Sequence, residues 1–112
     1  MRAQALKGHL DGMLLAALED GPRHGYAVME ALRAGSDGRF DLPTGTIYPA
    51  LRRLERAGLV CARWSEEGGR RRRLYELTPD GRRMLDAERH SWREFSAAVT
   101  ALLGPHQRPV TQ

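Results

Sequence analysis

Hydroxyl and guanidinium groups recur along one short stretch, Thr44-Gly45-Thr46-Ile47-Tyr48-Pro49-Ala50-Leu51-Arg52-Arg53-Leu54, in an order that suits a helix lying on DNA. Ile47, Ala50, Leu51 and Leu54 fall at i, i+3, i+4 and i+7, so they share one face that a small core would bury. The outward face is then Gly45, Thr46, Tyr48, Pro49, Arg52, Arg53 and Arg56. An α-helix fits the major groove of B-DNA, where an arginine fork can bond guanine O6 and N7 and a threonine can reach a base edge or a phosphate. A surface helix with solvated arginines would show the same pattern. The residues that follow favour the first reading.

Leu59 to Ser65 reads as a strand, Glu66-Glu67-Gly68-Gly69 as a turn, and Arg70 to Leu77 as the returning strand, which begins with Arg70, Arg71, Arg72 and Arg73 in succession. Such a run can serve to keep an edge strand soluble. Adjacent like charges repel, however, and phosphates relieve that cost, so a DNA contact is the expectation next to the helix just described. Catalysis is not indicated. No Ser/His/acid or Cys/His constellation and no phosphate-binding glycine motif occurs, and His9, His24, His90 and His106 lack metal-ligand spacing with one another or with Cys61. No metal or cofactor is expected, and Cys61, in an apolar strand, should be a buried and inert thiol.

The chain that must position these residues has 112 of them, enough for one modest core, and its 41% hydrophobic content is low for a chain that packs alone. A net charge of +4 suits a polyanionic partner. Lys7 is the only lysine, and the arginine bias fits nucleic acid or a GC-rich genome equally. A single cysteine excludes an intrachain disulfide and suits a reducing, cytoplasmic setting. Met1 to Lys7 lacks the apolar region of a signal peptide, and the longest apolar run, Met13 to Leu18, is too short to cross a membrane.

Helical spacing of Leu10, Met13, Leu14, Ala17 and Leu18 predicts a first helix from His9 to Glu19. Tyr26, Met29 and Leu32 or Ala31 predict a second, which begins near His24 and ends before the loop Gly35-Ser36-Asp37-Gly38. Thr44 or Thr46 is the expected N-cap of the third, with Pro49 in its first turn, and Gly58 closes it. Three short helices and a hairpin with a basic tip describe a winged helix-turn-helix, mainly α with a small β-hairpin. Thr78-Pro79-Asp80 then opens a long helix that Gly104-Pro105 stops. The expected organisation is a winged head over 1–78, a dimerisation helix over 79–104 and a flexible tail over 105–112. Leu85, Trp92, Phe95, Val99 and Leu102 make a heptad-like seam interrupted only by Glu88. A rod of roughly 37 Å outruns so small a head, so the seam should be buried by a second copy rather than by its own.

The chain resembles the PadR family of bacterial transcriptional regulators, in its short branch with one C-terminal helix. The resemblance covers about residues 6 to 103 and rests on Leu6-Lys7-Gly8, Gly21-Pro22 with His24-Gly25-Tyr26, Gly45-Thr46-Ile47-Tyr48-Pro49-Ala50-Leu51 with Arg52-Arg53-Leu54-Glu55, Gly58-Leu59, and Arg71-Arg72-Arg73 leading through Tyr75 and Leu77 to Thr78 and Gly81. It implies a homodimer that binds an inverted repeat on double-stranded DNA, usually as a repressor. Thr44, Thr46, Tyr48 and Arg52 become the groove-facing set, Arg71 to Arg73 the wing, and His24 and Tyr26 a phosphate contact, although core packing would also suit Tyr26. Many relatives carry paired tyrosines where this chain has Leu74-Tyr75. Some multidrug-responsive relatives have a tryptophan at the position of Trp92, against which flat aromatic compounds lie. Phe95 and Ser96 beside Trp92, with Leu10, Met13 and Leu14 of the first helix, would complete such an effector wall, although aromatic stripes at helical spacing are usually core and a Trp92 that simply fills the dimer core is the more ordinary reading. A winged helix that binds only protein is the competing class, but it has no need for arginine on the third helix and the wing together.

Overall fold

A computed structural model describes residues 8–105 as α1 (Leu10–Ala17), β1 (Arg23–His24), α2 (Gly25–Gly35), α3 (Thr44–Arg56), β2 (Val60–Glu67), β3 (Arg70–Leu77) and α4 (Pro79–Leu103). The mainly helical winged architecture is as expected, with one addition. Arg23 and His24 pair antiparallel with Tyr75 and Leu74, which makes a three-stranded sheet in the order β1-β3-β2. Two residues carry no period, so the hydrophobic pattern could not announce this strand. Met1 to Lys7 and the tail beyond Pro105 lie outside the described residues.

The core is where the periodicity put it. Ile47, Ala50, Leu51 and Leu54 of α3 are buried together with Leu15, Val28, Val60 and Tyr75. α1 is shorter than expected: Leu18 and Glu19 donate to Leu15 and Ala16 three residues back, a tightened turn that ends the helix early. α3 is not capped by a threonine. Pro43, in extended conformation, is its N-cap, and the Pro43 carbonyl accepts from Thr46 at 2.9 Å and Ile47 at 3.1 Å. Pro49 therefore sits in the second turn rather than the first, where its missing N–H leaves the Gly45 carbonyl without its usual donor. At the other end Gly58 turns left-handed at φ 77°, and the N–H groups of Gly58 and Leu59 satisfy the carbonyls of Glu55 and Leu54.

The hairpin turn is only Gly68-Gly69, both at positive φ (62° and 74°), the conformation of a tight two-residue hairpin. Val60 and Ala62 face the core, which places Cys61 on the opposite side of the strand. Cys61 is exposed, contrary to expectation. The Thr78 hydroxyl accepts from the Gly81 N–H at 3.0 Å and donates to the Gly58 carbonyl at 2.7 Å, so one residue caps α4 and ties it to the end of α3. Gly81 presses so closely on the Leu59 carbonyl that a Cβ there would collide with it.

Two residues of the expected seam and effector wall turn inward. Leu85 is 3% exposed and belongs to the core of its own head, as does Leu14 at 0%. Leu85 lies in the first turns of α4, still over α1, whereas the free part of the rod begins beyond Glu88, whose side chain packs on Gly12. There Trp92, Phe95, Leu102 and Leu103 are all more than half exposed. At the point of departure Arg89 grips Glu19 with two hydrogen bonds of 2.6 Å.

Candidate nucleic-acid interface

With the buried stripe of α3 fixed, the 100° step between residues assigns the rest of its surface. Gly45, Pro49, Arg52 and Arg56 run down the outermost line, Thr44, Tyr48 and Glu55 lie toward the wing, and Thr46 and Arg53 lie toward α1. Arg53 is ion-paired with Asp11 of α1, which holds its guanidinium at the flank, the side on which Thr46 also lies. Arg52 is exposed, while Thr46 and Tyr48 are half-buried. Tyr48 lies over the first residue of α2: a Cβ at Gly25 would run into its ring, so glycine lets the recognition helix and α2 close up.

The wing rises beside Tyr48. His24, Tyr26, Tyr48 and Arg70 to Arg73 line an open cleft of about 450 Å³. A second recess of about 350 Å³, between α3 and the wing, is lined by Tyr48, Arg52, Glu55, Arg73 and Tyr75. The structure therefore brings His24, Tyr26, Tyr48, Arg52 and the four wing arginines onto one continuous surface. Tyr26 is exposed, and the buried residues of α2 are Val28 and Leu32 instead, so Tyr26 takes no part in the core. Burial pushes the Tyr75 phenol above its ordinary range, with the Arg73 charge opposing, and keeps it neutral beneath the arginines.

His24 is the hinge of this surface. Its Nδ1 accepts from the Ala27 N–H at 3.2 Å and so caps α2, while Arg72 Nη1 stands 2.8 Å from its Nε2. A neutral imidazole has one lone pair and one N–H, so it cannot accept both donors. In one tautomer Nδ1 keeps the cap and Nε2–H points beside the Arg72 guanidinium, where an anion would receive both; in the other Nε2 accepts from Arg72 and the cap is given up.

The residues expected to hold an effector are only partly assembled. Trp92 and Phe95 are neighbours, with ring centroids 6.0 Å apart. Leu10 and Met13 of α1 are half-buried and pack on the head core, and the Ser96 hydroxyl is turned back onto the Arg93 carbonyl. Sequence reasoning missed His9, whose ring meets Trp92, as well as Glu55 and Trp64, which hold wing arginines. These contacts cross between elements and leave no periodic signal. Among the described residues no group of His, Cys, Asp or Glu could hold a metal ion, and no helix is long and apolar enough to cross a membrane.

Residues 14–87 match the model of the Transcriptional regulator PadR-like family. An uncharacterized 37.1 kDa protein in transposon TN4556 of Streptomyces fradiae is 46% identical over 87 residues, which are 78% of this chain and 24% of the relative. Transcriptional regulator Rv3488 of Mycobacterium tuberculosis is 36% identical over 77 residues, 69% of this chain and 59% of its own length. The chain thus spans about a quarter of the first of these relatives and less than two thirds of the second. Among solved structures, a PadR-like transcriptional regulator from Bacillus cereus superposes with a TM-score of 0.80 at 28% identity and is covered to 100% by 93% of this chain. A PadR family transcriptional regulator from Eggerthella lenta gives 0.76 at 29% identity, covering 92% of this chain and 88% of that one. The family and its solved members are transcriptional regulators, not enzymes.

Proposed function

Because the chain belongs to the PadR-like family of DNA-binding transcriptional regulators, we propose that it is a cytoplasmic repressor that binds an inverted repeat as a homodimer. Residues 1–78 form the DNA-binding head and 79–104 the dimerisation helix. α3 enters the major groove, with Thr44, Thr46, Tyr48 and Arg52 toward base edges and Arg53 at the flank. The wing arginines, His24 and Tyr26 meet the phosphates on either side. The observation that carries this reading is the convergence of His24, Tyr26, Tyr48, Arg52 and Arg70 to Arg73, from β1, α2, α3 and β3, on one continuous surface. The second copy covers Trp92, Phe95, Val99 and Leu102, the apolar residues of α4 that the head leaves free. Electrophoretic shift with the chain's own upstream region tests the proposal. A discrete complex that survives competing random duplex supports it, and no shift at micromolar protein overturns it in favour of a protein-binding winged helix.

A second reading concerns the signal. Trp92 and Phe95 are neighbours on the rod and His9 joins Trp92 to the start of the head; with Leu10 and Met13 of α1 they would offer an apolar, aromatic wall suited to planar aromatic compounds. We propose such compounds as effectors that lower operator affinity.

A further inference from the structure

Arg73 is the wing arginine that is paired with a carboxylate. Its Nη2 donates to Glu55 Oε2 of α3 at 2.8 Å, and its guanidinium carbon lies 5.5 Å from the centre of the Trp64 ring, its cross-strand partner. Trp64 also carries Arg71 on its face, at 4.4 Å. The result is an unbroken string, Glu55–Arg73–Trp64–Arg71, from the recognition helix to the tip of the wing. Trp64 is an aromatic residue more than half exposed on a hairpin face beyond the reach of the core, and two guanidinium groups lie over it.

The two arginines differ in what they have left to offer. A guanidinium stacked on an indole uses its face, and all its N–H donors remain in the plane of its edge. Arg71 can therefore stack and still bind a phosphate. Arg73 spends its edge on a carboxylate that cancels its charge, and the two side chains are only 37% and 30% exposed, less than any other arginine–carboxylate pair among the described residues. Glu55 in turn stands on the wing side of α3, where an unpaired carboxylate would repel phosphates.

We infer that Arg73 and Trp64 are positioning residues: together they form a strut that holds the wing at a fixed distance from the recognition helix, and phosphate contact falls to Arg70, Arg71 and Arg72. The inference rests on the DNA-binding reading above.

Salt dependence separates a strut from a contact, because each phosphate neutralised contributes to counterion release and a strut does not. Wild type, Arg72→Ala, Arg73→Ala, Arg73→Gln, Glu55→Gln, Trp64→Phe and Trp64→Ala proteins are titrated with a duplex of the chain's upstream region at a series of salt concentrations. Arg72→Ala should lower the log–log slope by about 0.9. Both Arg73 variants and Trp64→Ala should keep the wild-type slope while binding roughly three- to tenfold more weakly at every salt concentration. Trp64→Phe should recover most of that loss. Glu55→Gln should also weaken binding, although it removes a negative charge from the face. A slope that falls as far for Arg73→Ala and Arg73→Gln as for Arg72→Ala, or tighter binding by Glu55→Gln, overturns the assignment. A second arm needs no DNA. With Trp64 as the only tryptophan, in a Trp92→Phe background, Glu55→Gln and Arg73→Gln should each shift its emission. Unchanged emission in both overturns the strut even if the wild type binds no duplex, a result that would separately end the DNA reading.

Discussion

The rings of His9 and Trp92 meet in a T-shaped contact, with centroids 5.2 Å apart and planes inclined by 73°. His9 precedes α1 and Trp92 lies midway along α4, so this pair joins the head to the rod beyond the last core residue, Leu85. Two residues after His9, Asp11 of the same α1 holds Arg53 of the recognition helix. The N-terminal end of α1 thus meets Trp92 of the rod and, within two residues, α3.

If planar aromatics bind at the proposed aromatic wall, quenching by phenolic acids, flavonoids or cationic dyes should persist in Trp64→Phe and vanish in Trp92→Phe. Operator DNA should then weaken dye binding by the same factor as dye weakens DNA binding. Asp11→Asn should leave dye affinity intact and shrink that factor. A panel in which no compound quenches Trp92 returns the residue to the dimer core.

Phe95 and Leu102 are exposed on the single chain and contribute nothing to its core. Replacing both with Glu should therefore leave the head folded, with an unchanged circular dichroism spectrum, while light scattering reports a monomer, because unpaired charges are not tolerated in an apolar interface. A monomeric wild type at micromolar concentration contradicts the proposed pairing.

Arg52→Ala should cost about 1 to 3 kcal/mol on the specific site and less on random duplex, if its fork reads a base edge. Anisotropy titrations on both duplexes decide it: equal losses would make Arg52 a phosphate contact.

Two glycine substitutions should act in opposite directions. At Gly81 an added methyl meets the Leu59 carbonyl, so Gly81→Ala should destabilise by about 1 to 3 kcal/mol in chemical denaturation. At Gly45 nothing lies within 4 Å of the added atom and the residue is inside a helix, so Gly45→Ala should stabilise by roughly 0.5 to 1 kcal/mol. The same methyl stands on the outermost line of α3, and DNA affinity should fall as stability rises.

The hydrogen bond from Arg89, opposed in part by desolvation, holds the Glu19 carboxyl below its ordinary value of 4.5. A folded-state pKa depressed in this way contributes stability that is present above the unfolded value and is lost as pH falls through the folded one. Glu19→Gln should accordingly melt below wild type at pH 7, and the two curves should converge as pH falls below the ordinary carboxylate range. A gap that persists there would mean that the contact works without the charge.

Much of this was readable in the sequence because it is written in periods and caps. The buried stripe of α3, the Gly58 stop and the Thr78 cap are local patterns, and each lies where its spacing placed it. What escaped depends on distances between elements. β1 exists because β3 is beside it, Cys61 is exposed because the strand alternates about Val60, and Leu14 and Leu85 are core because α4 starts over α1 before leaving it. Glu55 and Trp64 were visible as residues, yet their hold on Arg73 spans two strands and a helix.

Leu85 and Trp92 are seven residues apart, a separation that turns a straight helix by two revolutions less about 20°. The apolar line that faces the head at Leu85 is therefore nearly the same line that leaves it at Trp92. The rod passes its greasy side from its own domain to whatever lies beyond without rotating. A single residue inserted between them would swing each head by about 100° about the rod axis and advance it by about 1.5 Å. Insertion of seven would restore the alignment and lengthen the reach, so the permitted lengths of this segment come in steps, and with them the spacings of half-sites that the proposed dimer can span.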